Sequence, residues 1–231
     1  WVAIAVIVAS LFEIVPLFGL RSNIQRIASV TPLTPLECVG RDIYISEGCV
    51  NCHSQMIRPL LAETERYGEY SKPGESVYEH PFLWGSRRIG PDLAREGVTN
   101  PSALWHLRHF NKPTDTSPGS IMPSYAHLLD KPIDWSAAAA GLGAMRAVGV
   151  PYDDATISGA EQLAKAQAAK VHEQLVRENG GKDMGVAADR RVIALIAYLQ
   201  RLGIDLNKPV EVAPVGPDDR ARIEIDTGLA D

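Results

Sequence analysis

The chain opens on a run, Trp1 to Leu20, that is apolar on every side, with Glu13 its one ionisable residue. At ~1.5 Å per residue a helix of this length covers about 30 Å, the thickness of a bilayer's hydrocarbon core. A surface helix would confine its apolar residues to a stripe, and this run does not. A secretion signal has a shorter apolar region followed by a small-residue cleavage site, and neither feature is seen. Residues 1–20 are therefore expected to form one transmembrane anchor. Pro16 removes a backbone donor and is a candidate kink. Glu13 is expected to face a partner, a polar cavity or the interface. The chain begins with Trp rather than Met, so its start is expected to be missing. Residues 21–36, with Arg21, Arg26, Pro32 and Pro35, read as a linker.

Beyond the linker the apolar positions recur at helical spacing. Val39, Ile43 and Val50 mark a helix from Glu37 to His53. Residues 54–95 are rich in Gly, Pro, Tyr and charge and read as loops. Asn100 as N-cap with Pro101 at N1 predicts a helix to Phe110. Ala137 to Val148 reads as another. A capping box, Ser158 with Glu161, opens one that ends at Asn179-Gly180-Gly181. Val192, Leu195, Ile196, Leu199 and Leu202 place a final helix over Asp189–Leu202, with Gly203 as its stop. The remainder, 206–231, is a Pro- and Asp-rich extended tail. The pattern is all-α, with residues 130–186 standing as an insertion before the last helix.

The chemistry concentrates in Cys49-Val50-Asn51-Cys52-His53. The pattern C-x-x-C-H is the attachment site for a c-type haem. Residues three apart share a helical face, so both sulfurs can reach one edge of the porphyrin, and His53 supplies the proximal ligand. A thioredoxin-like pair would need a preceding strand, and a structural zinc would want a second C-x-x-C; neither is present. Thr116 to Ser124 is a loop carrying Met122 followed by Pro123. A methionine on a rigid loop downstream of C-x-x-C-H is the usual sixth iron ligand, and its soft thioether raises the potential relative to bis-His ligation. Met56 is too close to His53 to reach the opposite face. Met145 and Met184 read as packing residues, and His80, His127 and His172 are outside candidates. His106 and His109, three apart on one helix, are a weaker metal pair. Cys38 reads as a small buried apolar residue, with a reactive thiol as the sharper alternative. The formal charge is −5 and the pI about 5.7, which argues against a nucleic-acid partner and suits docking to a basic one.

Two features resemble class I cytochromes c. Gly40 and Tyr44 lie one turn apart, as where a glycine admits the last helix closely and an aromatic packs beside it; Tyr198 is then the partner ring. Gly90-Pro91-Asp92-Leu93 is similar to the segment whose proline carbonyl accepts a hydrogen bond from the proximal histidine, so Pro91 joins the expected site. Longer runs resemble one family, the membrane-anchored monohaem subunit (subunit II, FixO type) of cbb3-type cytochrome c oxidases. They are Glu13 to Phe18, Thr34 to Glu37, Gly40 to Tyr44, Glu47 to Pro59, Tyr67 to Ser71, Trp84 to Arg95, Ser120 to Tyr125 and Gly149 to Tyr152. Together they span most of residues 1–205; Cys38 and the alanines at 137–140 depart from the expected pattern.

The resemblance implies an all-α fold. It consists of a class I cytochrome c-like haem domain over 37–205 with its helical insertion, preceded by one transmembrane helix. It implies one covalently attached haem c, held by Cys49, Cys52, His53 and Met122, and no catalytic residues in this chain. Electrons would come from another cytochrome c, as a further subunit or a soluble protein. They would pass to a large haem b/copper subunit that reduces oxygen to water. Arg21 and Arg26 by themselves hint at a cytoplasmic flank. Haem c is attached on the outer side, so the domain is expected on the periplasmic face of a bacterial inner membrane, with lipid around the anchor. Arg58, Arg87 and Arg88 are candidates for pairing with haem propionates, with a partner, or with neither. The alternative assignment is the monohaem subunit of a nitric oxide reductase. A peroxidase or gas sensor would need an open iron position, which Met122 closes.

Overall fold

Thr34 and Glu37 set the first helix of the globular part. The Thr34 hydroxyl accepts from the Glu37 amide at 3.4 Å and the Glu37 carboxylate accepts from the Thr34 amide at 2.8 Å, a reciprocal cap that satisfies two otherwise orphaned donors. A computed structural model describes residues 1–19, 27–85 and 87–207, with Pro16 to Gly19 described in backbone only. Leu20, residues 21–26 of the linker with Arg21 and Arg26, and residues 208–231 of the expected tail lie outside the described residues.

In chain order the helices are α1 (Val2–Gly19), α2 (Pro35–Ser46), α3 (Leu61–Tyr67), α4 (Glu96–Thr99), α5 (Ala103–Asn111), α6 (Pro113–Thr116), α7 (His127–Asp130), α8 (Ser136–Ala147), α9 (Asp154–Ser158), α10 (Ala160–Glu178) and α11 (Arg191–Arg201). Among the described residues there is no strand, only an isolated bridge between Pro132 and Arg190. The fold is all-α, as expected.

The core is the crossing of α2 and α11, which share the most extensive contact between helices. Gly40 makes it possible: a Cβ there would lie 2.0 Å from the Ala194 carbonyl oxygen and 2.8 Å from the Tyr198 Cβ. Tyr44 and Tyr198 are fully buried beside it, ring centroids 5.6 Å apart. The helices of 130–186 are integral to this core. Ala138, Leu142 and Met145 of α8 are buried, as are Ala160, Ala164, Ala168, Val171 and Leu175 of α10. Both helices pack on α2. Gln167 of α10 bonds Thr34 Oγ1 at 2.7 Å and Glu37 Oε1 at 3.2 Å, fastening the capped end of α2.

Several boundaries differ from expectation. The helix from Glu37 does not reach His53: it starts earlier, at Pro35, and ends at Ser46. Gly48 takes φ +76°, and Cys49–Asn51 then form a short 3-10 turn. Asn100 is not an N-cap. It closes α4, and the Ser102 hydroxyl caps α5 by accepting from the Trp105 amide at 3.1 Å. The Ser158–Glu161 box does not form, because Ser158 bonds back to Ala155 O while Glu161 pairs with Lys165. The last helix is trimmed to Arg191–Arg201, with Gly203 at φ +81° just beyond it.

Helix α1 makes no extensive contact with another helix, and its side chains are exposed as far as they are described, to Val15. The transmembrane helix expected over residues 1–20 is not borne out: Leu20 lies outside the described residues, and among those described no helix is long and apolar enough to cross a membrane.

Candidate functional site

The turn at Gly48 does the first positioning. A left-handed φ at this point costs a glycine little, and it swings the next residues out of the α2 axis. In the 3-10 turn that follows, the Cys52 amide bonds Cys49 O at 3.1 Å and the His53 amide bonds the same oxygen at 2.9 Å. Side chains three apart overlie one another in such a turn, so Cys49 and Cys52 keep one face. Burial, with Glu47 adding to it, pushes the Cys49 thiol up to about 12, so the sulfur is a neutral thiol at physiological pH.

Cys49, Cys52, His53, Pro91 and Met122 all line one cavity of about 480 Å³, walled further by Tyr44, Leu93, Trp105, Phe110 and Leu195. Its size falls within the range of pockets that hold cofactors, and the lining is mostly apolar. Pro91 O lies 2.8 Å from His53 Nδ1. A carbonyl can only accept, so Nδ1 carries the proton and Nε2 keeps its lone pair. Burial lowers the His53 pKa, against an opposing pull from the Pro91 carbonyl and the Asp92 charge, so the imidazole is neutral.

The Met122 loop is clipped to α5 at both ends. His109 Nδ1 meets Thr116 Oγ1 at 2.6 Å, Ser124 Oγ donates to Asn111 O at 2.6 Å, and the Tyr125 amide donates to Phe110 O at 2.8 Å. Met122 is half-buried and packs against the core.

The family model for the cytochrome c oxidase mono-heme subunit, FixO, matches residues 1–206. The chain belongs to this family. Comparison with curated proteins finds no match. Membership implies a haem and an oxidase complex around the chain. The residues present fit that group: two thiols on one face, an imidazole with its outer nitrogen free, a thioether, and apolar walls of sufficient volume.

Other sequence candidates of this FixO-family chain fall elsewhere. His106 and His109 do line the cavity, yet neither offers a metal pair. His106 Nε2 is 2.9 Å from Asn100 O and its ring is buried; His109 is occupied by Thr116. His127 pairs with Glu47 at 2.8 Å and His172 faces Asp183 at 3.9 Å. Met145 is buried in α8, but Met184 is exposed. Among the described residues no group of three or more His, Cys, Asp and Glu is placed to hold a metal ion. Cys38 is buried against α8, where its Sγ would lie 3.2 Å from a Cβ at Gly141, and burial pushes its thiol up to about 12. It is an inert packing residue rather than a third thiolate.

The arginines are redistributed. Arg58 and Arg88 both pair with Glu63, and Arg88 also reaches Asp92 at 3.4 Å. Hydrogen bonds from Arg88, and then Arg58, hold the Glu63 carboxyl down at about 2. These two arginines thus serve an internal network rather than an external anion, while Arg87 is exposed. Sequence reasoning missed Asp92 and Glu63 altogether. The only signal was Asp92's place inside Gly90-Pro91-Asp92-Leu93.

Proposed function

We propose that this chain is the one-electron relay of a cbb3-type cytochrome c oxidase. It carries one covalently attached haem c over residues 37–205, takes electrons from a donor cytochrome c and passes them to the haem b/copper subunit. One observation carries the reading: Cys49, Cys52, His53 and Met122 share a single apolar cavity, with the Pro91 carbonyl fixing the His53 tautomer. When bound there, haem supplies a one-electron iron couple.

The chain's own residues do the rest. Cys49 and Cys52 tether the group, and the doubly clipped loop holds the Met122 sulfur in place. The Pro91 contact keeps the His53 ring oriented and its outer nitrogen basic. Leu93, Leu195, Leu199 and Phe110 exclude water, which limits the solvent reorganisation that accompanies a change of charge. None of this breaks a substrate bond, so oxygen chemistry belongs to the partner subunit.

Anchoring to a bacterial inner membrane, with the haem domain on the periplasmic side, is supported by α1. Its 18 residues carry one charge, Glu13, and its large apolar side chains as far as Val15 are exposed among the described residues, a surface that lipid would cover.

Replacing Met122 with Ala tests the ligand set. Haem should remain attached through denaturing electrophoresis, the potential should fall, and the ferrous protein should bind carbon monoxide. An unchanged potential and no carbon monoxide binding would remove Met122 from the iron. Metal analysis of the copurified largest subunit decides between oxidase and nitric oxide reductase: copper for the former, non-haem iron for the latter.

A further inference from the structure

We propose that Asp92 is a positioning residue for the His53 imidazole, held in that task by Arg88 and Glu63; this rests on the haem reading above. The Asp92 side chain is 1% exposed. One oxygen accepts from Ser54 Oγ at 2.6 Å and from the Met56 amide at 2.9 Å, and the other accepts from the Ala94 amide at 2.8 Å. It thus ties the chain just past His53 to the chain just past Pro91. Two backbone bonds run beside it, Gly90 amide to Cys52 O at 2.9 Å and Leu93 amide to Ser54 O at 2.8 Å.

Arg88 seals the arrangement. Its Nε donates to Ser54 Oγ and its Nη2 to Met56 O, both at 2.6 Å, while Nη1 meets Glu63 at 2.7 Å. Tyr67 lies under the guanidinium, 5.4 Å from ring centroid to Cζ. A carboxylate buried this deeply costs several kcal/mol to desolvate, and packing alone would be served as well by an apolar side chain.

What the carboxylate adds is register. Asp92 is bonded directly to Pro91, so any slip of Asp92 moves the one carbonyl that faces His53 Nδ1. Its negative charge, on the residue next to Pro91, also favours an Nδ1–H polarised toward the Pro91 carbonyl, which makes the outer nitrogen a stronger donor. The contact to the far side of a metal-bound imidazole sets ligand basicity, so Asp92 would act on the iron through its neighbour Pro91 and then His53, with no contact of its own to the iron.

The test uses the purified oxidase complex carrying Asp92→Asn or Arg88→Lys. Asn keeps the size and one acceptor but loses the charge; Lys keeps the charge but loses the fork to Ser54 and Met56. Both are expected to retain attached haem while the midpoint potential rises and the ferric low-spin g-values shift. Exchange of the His53 Nδ1 proton should accelerate by about tenfold, the loss of roughly 1.4 kcal/mol from that hydrogen bond. Should Asp92→Asn fail to fold, Arg88→Lys decides alone by the same readouts. Wild-type potential, g-values and exchange in a haem-loaded variant overturn the proposal and leave the haem reading intact. A wild-type chain that carries no attached haem overturns both.

Discussion

A Cβ at Gly90 would lie 2.3 Å from Cε1 of His53 and 2.7 Å from both ring nitrogens. A side chain at this position would therefore force the His53 ring to shift from the place where Nδ1 meets Pro91 O. Gly90→Ala is expected to push the ring off its carbonyl at a cost of about 1–3 kcal/mol, as overpacking does in a tight site. The ratio of attached haem to protein should drop, and a wild-type ratio would show that the ring has room. The same scale explains Cys38. Its sulfur is shielded by α8 and stays protonated, so the buried apolar reading holds and the reactive-thiol alternative does not.

At the scale of the element, α5 carries both the clip that holds the Met122 loop, at His109, and the buried His106. Desolvation lowers the His106 pKa from 6.5 to about 4, opposed in part by its bond to Asn100 O. The unfolded chain therefore binds this proton below pH 6.5, while the folded chain binds it only near 4. Stability from this group is complete above pH 6.5 and is lost as the pH falls toward 4, by about 3 kcal/mol. Glu96, 3.9 Å away, works in the opposite sense because burial raises its own pKa. Melting temperatures between pH 7 and 4.5 should fall steeply for the wild type. They should fall less for His106→Gln, which can still donate to Asn100 O. Equal slopes would place the acid sensitivity elsewhere.

At the scale of the whole molecule, the helices of 130–186 do not hang from the haem domain as a separate lobe. They close the side of α2 that α11 leaves open, and the amides of Ile133 and Arg191 stitch the segment's two ends together through Asp189 O at 2.7 Å and Lys131 O at 2.9 Å. Helix α1 is the opposite case, since no other helix packs extensively on it. Removing residues 1–19 should yield a haem-loaded domain that no longer sediments with membranes and melts within a degree or two of the intact chain. A large loss of stability would mean that α1 supports the fold, and unchanged sedimentation with membranes would remove the proposed anchor.

Local chemistry was legible because it depends on neighbours in the chain. C-x-x-C-H, a methionine before a proline, a glycine one turn before a tyrosine and the apolar stripe of the last helix each state their role within a few residues. The all-α class follows from the same short-range periodicity. Caps and charges were another matter. Asn100 reads as a cap in the sequence, but it closes α4 instead and Ser102 caps α5. Arg88 finds Ser54 across 34 positions of sequence, and Asp92 finds Met56 across 36. Which ions meet depends on distances that no local pattern encodes, and the cost of burying a charge selects the pairing only after the chain has closed around it. The residues proposed to hold the iron were therefore named from the sequence, but that they share one cavity, and which charged groups brace them, only the tertiary structure decided, because it depends on contacts between distant parts of the chain.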